Sequence, residues 1–175
     1  MEHTPIRIAV AGSEDAPLIA ELSRRTFYDT FAPFNTPDNM DQFLQTQFTV
    51  EQLIEEVGAP RNTFLLAWLG EEVAGYARLY DGGELPHELA GTAAIEISRI
   101  YATQQAIGKG VGKALMEAAI DIAREKGKNW IWLCVWERNG RAIAFYEKMG
   151  FEIFGKHLFV LGQDLQNDWE MKKRL

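Results

Sequence analysis

The chain has 175 residues, with 25 acidic against 18 basic side chains for a net charge of −7, and a single cysteine. That length suits one domain over residues 1–175 with a sizeable core, and the acidic balance argues against nucleic acid and toward a cationic small molecule. Cys134, alone in an apolar run, excludes a disulfide framework and a thiolate metal site and suits a reducing cytoplasm. No leader pattern or apolar run near the ~18 residues of a membrane span is present, so neither export nor membrane insertion is expected.

Ile6, Ile8 and Val10 alternate with Arg7 and Ala9, which predicts a first strand ended by Gly12. Ser13 reads as a helix cap with Glu14 and Asp15 in the positive first turn, and Leu18, Ile19, Leu22 and Thr26 follow at helical spacing. That helix ends in Phe27, Tyr28, Phe31 and Phe34, which read either as the lining of a substrate pocket or as core between helices. Thr36 before Pro37 starts a second helix, with Met40, Phe43 and Leu44 on one face. Thr49 and Gln52 form a capping box for a short third helix carrying Leu53, Ile54 and Val57 up to Gly58. Apolar runs at 63–69 and 73–80, split by Gly70-Glu71-Glu72, read as a hairpin. Residues 81–91 are polar with Gly82, Gly83 and Pro86, and are expected to be a disordered stretch or a mobile lid.

Residues 95–101 predict the strand around which the rest is organised, with Glu96, Ser98, Ile100 and Ala102 on one face if no bulge intervenes. It feeds a loop with Gln105, Gly108, Gly110 and Gly112, after which Val111, Leu115, Ala118, Ala119 and Ile122 stripe a helix ended by Gly127. A strand, a glycine loop and a helix N-terminus together hold phosphate, because the backbone can approach the ligand and the first-turn N–H groups are free. The dinucleotide fingerprint fails here, since Lys113 stands where its third glycine should be. The nucleotide-hydrolase loop fails too: Thr103 and Ile107 stand where its first glycine is needed, and Gly110 and Ala114 where its Ser or Thr belongs. Residues 130–136 are apolar without alternation, which predicts a strand covered on both faces and parallel to the organising one through a right-handed crossover. Asn139 opens a helix with Ala142, Ile143, Tyr146 and Met149, closed by Gly150. Residues 151–154 and 169–173 predict a final strand pair, joined by a polar connection at 162–168.

The run Gln105-Ala106-Ile107-Gly108-Lys109-Gly110 resembles the coenzyme A pyrophosphate loop of the Gcn5-related N-acetyltransferases: Gln or Arg, two residues, Gly, one residue, Gly or Ala. Asn139, Ala142, Phe145, Tyr146, Gly150 and Phe151 resemble that superfamily's second signature. Within it, Arg99-Ile100-Tyr101, Trp132-Leu133, Val135-Trp136-Glu137, Gly155-Lys156-His157, Asn167-Asp168 and the segment at 26–31 are similar to the PaiA-type polyamine acetyltransferases. The resemblance implies an α/β (α+β) fold, a mixed and mostly antiparallel sheet of about seven strands with a central parallel pair, flanked by helices. It implies an acetyl-CoA-dependent N-acetyltransferase acting on a small-molecule primary amine, with spermidine or spermine favoured; relatives are often homodimers and the final strands could pair, but the sequence does not set the oligomeric state.

The same resemblance distributes roles. Gln105, Gly108, Lys109, Gly110, Val111, Gly112 and Lys113 would surround the pyrophosphate, while Ile100, Tyr101 and Ala102 would line the pantetheine arm, which Asn139 also bonds. A strand bulge would free an amide near Ile100 for the oxyanion, and Tyr146 would protonate the departing thiolate. Glu96 is the candidate base, directly or through a water; alternatively it pairs with a cation such as Arg99. Phe27, Tyr28, Asp29 and Phe31 are candidates for the substrate side, as are Glu84 and Glu88. His3, His87 and His157 lack ligand spacing, so no metal is expected. Open alternatives are a protein N-terminus or an aminoglycoside as acceptor, and a non-catalytic acyl-CoA-binding regulator.

Overall fold

The computed structural model describes residues 4–175, and its sheet runs β1-β2-β3-β4-β5-β7-β6. The strands are β1 (Ile6–Val10), β2 (Asn62–Leu69), β3 (Glu72–Tyr80), β4 (Ala94–Ala102), β5 (Trp130–Trp136), β6 (Glu152–Leu161) and β7 (Asp164–Arg174). Only β4 and β5 pair in parallel, and every other neighbour is antiparallel, as expected from the sequence. The helices are α1 (Ala16–Phe31), α2 (Pro37–Thr46), α3 (Val50–Gly58), α4 (Val111–Glu125) and α5 (Gly140–Lys148).

Two apolar layers hold the sheet. On one face Val111, Leu115, Met116 and Ala119 of α4 and Tyr146 of α5 pack against Leu65, Ala77, Ile95, Ile97, Ile131 and Leu133. On the other, Ile19 and Leu22 of α1 meet Phe64, Leu66 and Tyr76, while Phe27, Phe31, Phe43 and Phe48 gather around Trp136. The seven-residue β5 therefore carries apolar side chains on both faces, which is why its sequence does not alternate.

Local chemistry sets the helix ends. Thr36 accepts from Asn39 N, and Thr49 and Gln52 cap each other at 3.2 and 3.1 Å. Ser13 is not the cap of α1: residues Ser13–Asp15 form a single 3-10 turn, and Asp15 instead accepts the Gly12 N–H at 2.9 Å. The segment at 81–91 is tied down at both ends, contrary to the expected loose loop. Asp81 binds Lys128 at 2.6 Å, and Leu89 is buried against Ala94 and Trp132.

The final strands are longer than their apolar pattern indicates. Residues 162–168, expected as a polar connection, hold only the turn at Gly162 and Gln163, after which β7 pairs at once with Val160 and Leu161. This hairpin projects at the sheet edge and leaves Leu158, Val160 and Leu165 exposed, so polarity there marks solvent and not a loop. No helix among the described residues is long and apolar enough to cross a membrane. His3 lies outside the described residues, and among them no group of His, Cys, Asp and Glu is placed to hold a metal.

Candidate functional site

The parallel ladder of β4 and β5 is short: Ala94 faces Trp130, Ile95 faces Ile131 and Glu96 faces Trp132, and there it ends. Beyond it the two strands part, so residues 97–102 and 133–136 leave an open gap in the middle of the sheet. The β4 edge that borders this gap carries backbone donors and acceptors without ladder partners.

A bulge accompanies the parting. Arg78 stands opposite Arg99 and Leu79 opposite Ile97, so Ser98 is the extra residue. The bulge, expected from the resemblance, reverses the side-chain alternation, so Glu96 does not share a face with Ile100 and Ala102. Ile100 and Ala102 pack with α4, whereas Arg99 and Tyr101 join Glu96 on the α1 to α3 side.

At the mouth of the gap lies the glycine loop. Gly108 and Gly110 take φ of +80° and +86°, the left-handed region that suits glycine. The first α4 hydrogen bond is Ala114 N to Gly110 O, so the amides from Gly110 to Lys113 have no partner inside the helix. Val111 is fully buried and seats the first turn of α4 against the core. Gln105, Gly108 and Lys109 are exposed, and the Lys113 ammonium lies 3.7 Å from Glu117. Exposed backbone, positive helix end and free amides together fit a diphosphate. Asn139 accepts from Ala142 N at 3.2 Å, so its oxygen caps α5 and its amide N–H2 remains the side chain's donor.

Tyr146 projects from α5 into the core below the gap, with its ring 6.0 Å from Phe151. Burial raises its phenol above the usual range, so the hydroxyl keeps its proton. Tyr101, stacked 6.1 Å from Tyr76, is raised as well, first by burial and then by the neighbouring Tyr76 and Tyr146 phenols. Tyr101 and Tyr146 come from opposite faces of the sheet.

The α1 to α3 side of the gap is rich in carboxylates. Burial raises Glu96 above the usual carboxylate range, with Arg78, Ser98, His157 and Arg99 opposing. Asp168, facing Trp136 on one side and His157 on the other, is pushed up to about 6 by burial. Glu170 is raised by burial too, and the Cys134 thiol between these groups is pushed up to about 12, by burial and then by Glu96, Asp168 and Glu170.

The residues proposed for the substrate side separate. Phe27 stacks on Phe43 at 4.5 Å and Phe31 lies 5.9 Å from Trp136, so both are core, and Phe31 backs the wall beside Asp168. Tyr28 is half exposed and Asp29 partly exposed on the same helix. Glu84 is exposed, and Glu88 pairs with Lys172 at 3.6 Å. Asp168, His157 and the buried Gln166 receive no site role from the sequence alone. The two-residue turn at Gly162-Gln163 was the signal that aligns them on one strand pair.

Residues 20–151 match the model of the acetyltransferase (GNAT) family. An uncharacterized N-acetyltransferase encoded in the pepI 3′ region of Lactobacillus delbrueckii subsp. lactis is 37% identical over 172 residues, 98% of this chain and 99% of that protein. The spermidine N(1)-acetyltransferase of Thermoplasma acidophilum is 24% identical over 148 residues, covering 85% of this chain and 89% of its own length. Among solved structures, the PaiA N-acetyltransferase of Thermoplasma acidophilum in complex with coenzyme A superposes with a TM-score of 0.78 at 22% identity, over 98% of this chain and 99% of that one.

Proposed function

The chain belongs to the GNAT family of acetyltransferases and is an acetyl-CoA-dependent N-acetyltransferase, and from that premise we propose that its acceptor is the primary amine of a polyamine such as spermidine or spermine, in the cytoplasm. Acetyl-CoA supplies the acyl carbon at which the amine nitrogen bonds as the C–S bond breaks. The amides from Gly110 to Lys113, with Gln105, Gly108 and Lys109, hold the diphosphate. The free edge of β4 at Ile100, Tyr101 and Ala102 and the Asn139 amide hold the pantetheine arm, and the main chain near Ile100 polarises the acyl oxygen. Tyr146 keeps a proton ready for the departing sulfur. Glu96, at the closed end of the gap with its carboxyl raised, is the carboxylate that the resemblance offers as a base through a water.

The observation that carries this reading is the parting of β4 and β5 after Glu96, above a buried Tyr146 and beside unpaired helix amides. The carboxylates Glu96, Asp168 and Glu170, and the likeness to a spermidine acetyltransferase, support a polycation. One feature favours a second reading, a protein N-terminus. An open cleft of about 570 Å³, lined by Phe34, Asn39, Gln42 and Gln163, begins beside Trp136 and has room for a longer acceptor.

Coenzyme A thiol release against polyamines, peptides and aminoglycosides tests both readings. Spermidine or spermine should give the highest kcat/KM, and Tyr146→Phe should lower kcat about 100-fold or more with the acetyl-CoA Kd unchanged. Preference for peptides would move the assignment to a protein N-terminus. Acetyl-CoA binding without turnover of any amine would leave an acyl-CoA-binding regulator.

A further inference from the structure

We propose that Asp168, paired across β6 and β7 with His157, is the carboxylate that directly meets the acceptor's ammonium and takes its proton, ahead of Glu96. The inference rests on the acetyl-transfer reading and refines it.

Placement along the gap distinguishes the two carboxylates. Glu96 stands beside Trp132 at the last parallel pair, where the gap is closed. Asp168 stands beside Trp136, farther along β5 by the run 133–136, roughly 13 Å at strand rise. That is the open end, where Tyr101 on β4 is close enough to feel the Asp168 charge. The charged and titratable groups facing Asp168 are His157 from β6, Glu137 beyond β5, Cys134 on β5 and Tyr101 on β4. None is a lysine or arginine, whereas Glu96 already has Arg78 and Arg99 beside it.

A second observation points to a donor-rich ligand. Gln166 shares the Asp168 face of β7 by strand alternation and is only 5% exposed. Its Nε2 donates to Asp164 at 2.8 Å, but its Oε1 has no partner. A buried acceptor without a donor is costly, and an ammonium bridging toward Asp168 would satisfy it. Trp136, with Phe34 at 5.1 Å, forms the apolar wall along which the carbon chain of such an amine would lie.

The protons balance. The ammonium gives one to Asp168, which returns it to solvent. The freed lone pair forms the C–N bond at the acyl carbon, and the C–S pair leaves with sulfur. Sulfur takes the Tyr146 proton, and the second proton lost by nitrogen restores the phenol.

Two readouts test this, one of them without turnover. With the best amine, kcat/KM of the wild type should rise through an acid limb near the Asp168 value of about 6. Asp168→Asn should lose that limb and fall about 100-fold or more at neutral pH, with acetyl-CoA Kd unchanged, while Glu96→Gln keeps the limb. His157→Gln should move the limb to higher pH, because His157 holds the carboxyl down. A retained limb in Asp168→Asn, or its loss in Glu96→Gln alone, overturns the proposal. Independently, carboxyl ¹³C titration of the unliganded protein should show a resonance near that value, absent in Asp168→Asn, that spermidine shifts. A resonance indifferent to spermidine overturns the proposal even if the wild type acetylates it, whereas a wild type that acetylates no amine removes the acetyl-transfer reading instead.

Discussion

Glu56 of α3 receives two hydrogen bonds from the Arg99 guanidinium, at 2.6 and 3.0 Å, on the residue that follows the β4 bulge. Arg78 stands 3.8 Å from the same carboxylate, and Phe48 lies 4.8 Å under Arg99. One acid therefore bridges two arginines and ties a helix to the strand that opens the gap. Glu56→Ala should leave the two guanidiniums repelling each other in a half-buried place, costing about 1–3 kcal/mol after allowance for partial exposure. Urea unfolding measures it, and a cost within experimental error would show that the clamp is a solvated surface pair.

Gly75 lets β3 pass close under the end of β4. A Cβ there would come within 2.5 Å of the Tyr101 carbonyl oxygen, 3.0 Å of Val111 Cγ1 and 3.3 Å of Ala102 Cα. Two of those atoms are backbone and cannot swing aside, so Gly75→Ala should cost about 1–3 kcal/mol. It should also weaken acetyl-CoA binding, since it displaces both the β4 edge proposed for the pantetheine arm and the first turn of α4. Gly58→Ala is the control, because nothing lies within 4 Å of a Cβ there. Calorimetry on both variants reads the difference, and equal behaviour would sink the argument.

The elements that depend on local chemistry were legible in the sequence. The Thr49-Gln52 box, the Thr36 cap and the glycine loop each fix a helix end through neighbouring residues alone. The parallel pairing of β4 and β5 was also legible, from a strand apolar on both faces. A bulge in β4 was expected through the resemblance alone; its place at Ser98 was not legible, because nothing in Ile97-Ser98-Arg99 distinguishes a bulged strand from a regular one, and its effect is to put Glu96 and Ile100 on opposite faces. Asp168 was hidden for a different reason: an edge hairpin with one face in solvent carries polar residues along its strands, which reads as a loop. The aromatic cluster around Phe27 was undecidable between core and pocket until Phe43, Phe48 and Trp136 were seen to enclose it.

Asp168 should also make stability depend on pH. Its carboxyl rises from 3.8 to about 6 in the fold, chiefly by burial, so the folded protein holds that proton more tightly than the unfolded chain. The stability this contributes is complete below about pH 4 and is lost as pH rises through about 6. The loss is about 1–3 kcal/mol, toward the lower end because the side chain is partly exposed. Asp168→Asn has no such charge to bury. It should match the wild type near pH 4 and exceed it near pH 8, and the difference between the two urea profiles removes the parallel contributions of Glu96 and Glu170. A difference that does not change with pH would show that the Asp168 carboxyl is no harder to ionise in the fold than in the unfolded chain.

The three glycines of the loop should separate when replaced one at a time. Gly108 and Gly110 sit at φ of +80° and +86°, where an alanine is strained by about 1–2 kcal/mol even though space is available around both. Gly112 is different: it lies inside α4, and a Cβ there would meet only Phe145 Cζ at 3.6 Å, an ordinary contact. Alanine is the better helix former, so Gly112→Ala should hold or raise the unfolding free energy by up to ~1 kcal/mol. If the diphosphate rests on the amides from Gly110 to Lys113, the added methyl crowds it, and acetyl-CoA affinity should fall about tenfold, about 1.4 kcal/mol, in a protein that is no less stable. Isothermal titration beside urea unfolding reads the two effects separately. A Gly112→Ala protein that binds acetyl-CoA as tightly as the wild type would mean that the missing side chain serves only the packing of Phe145, and that the ligand keeps its distance from the second residue of α4.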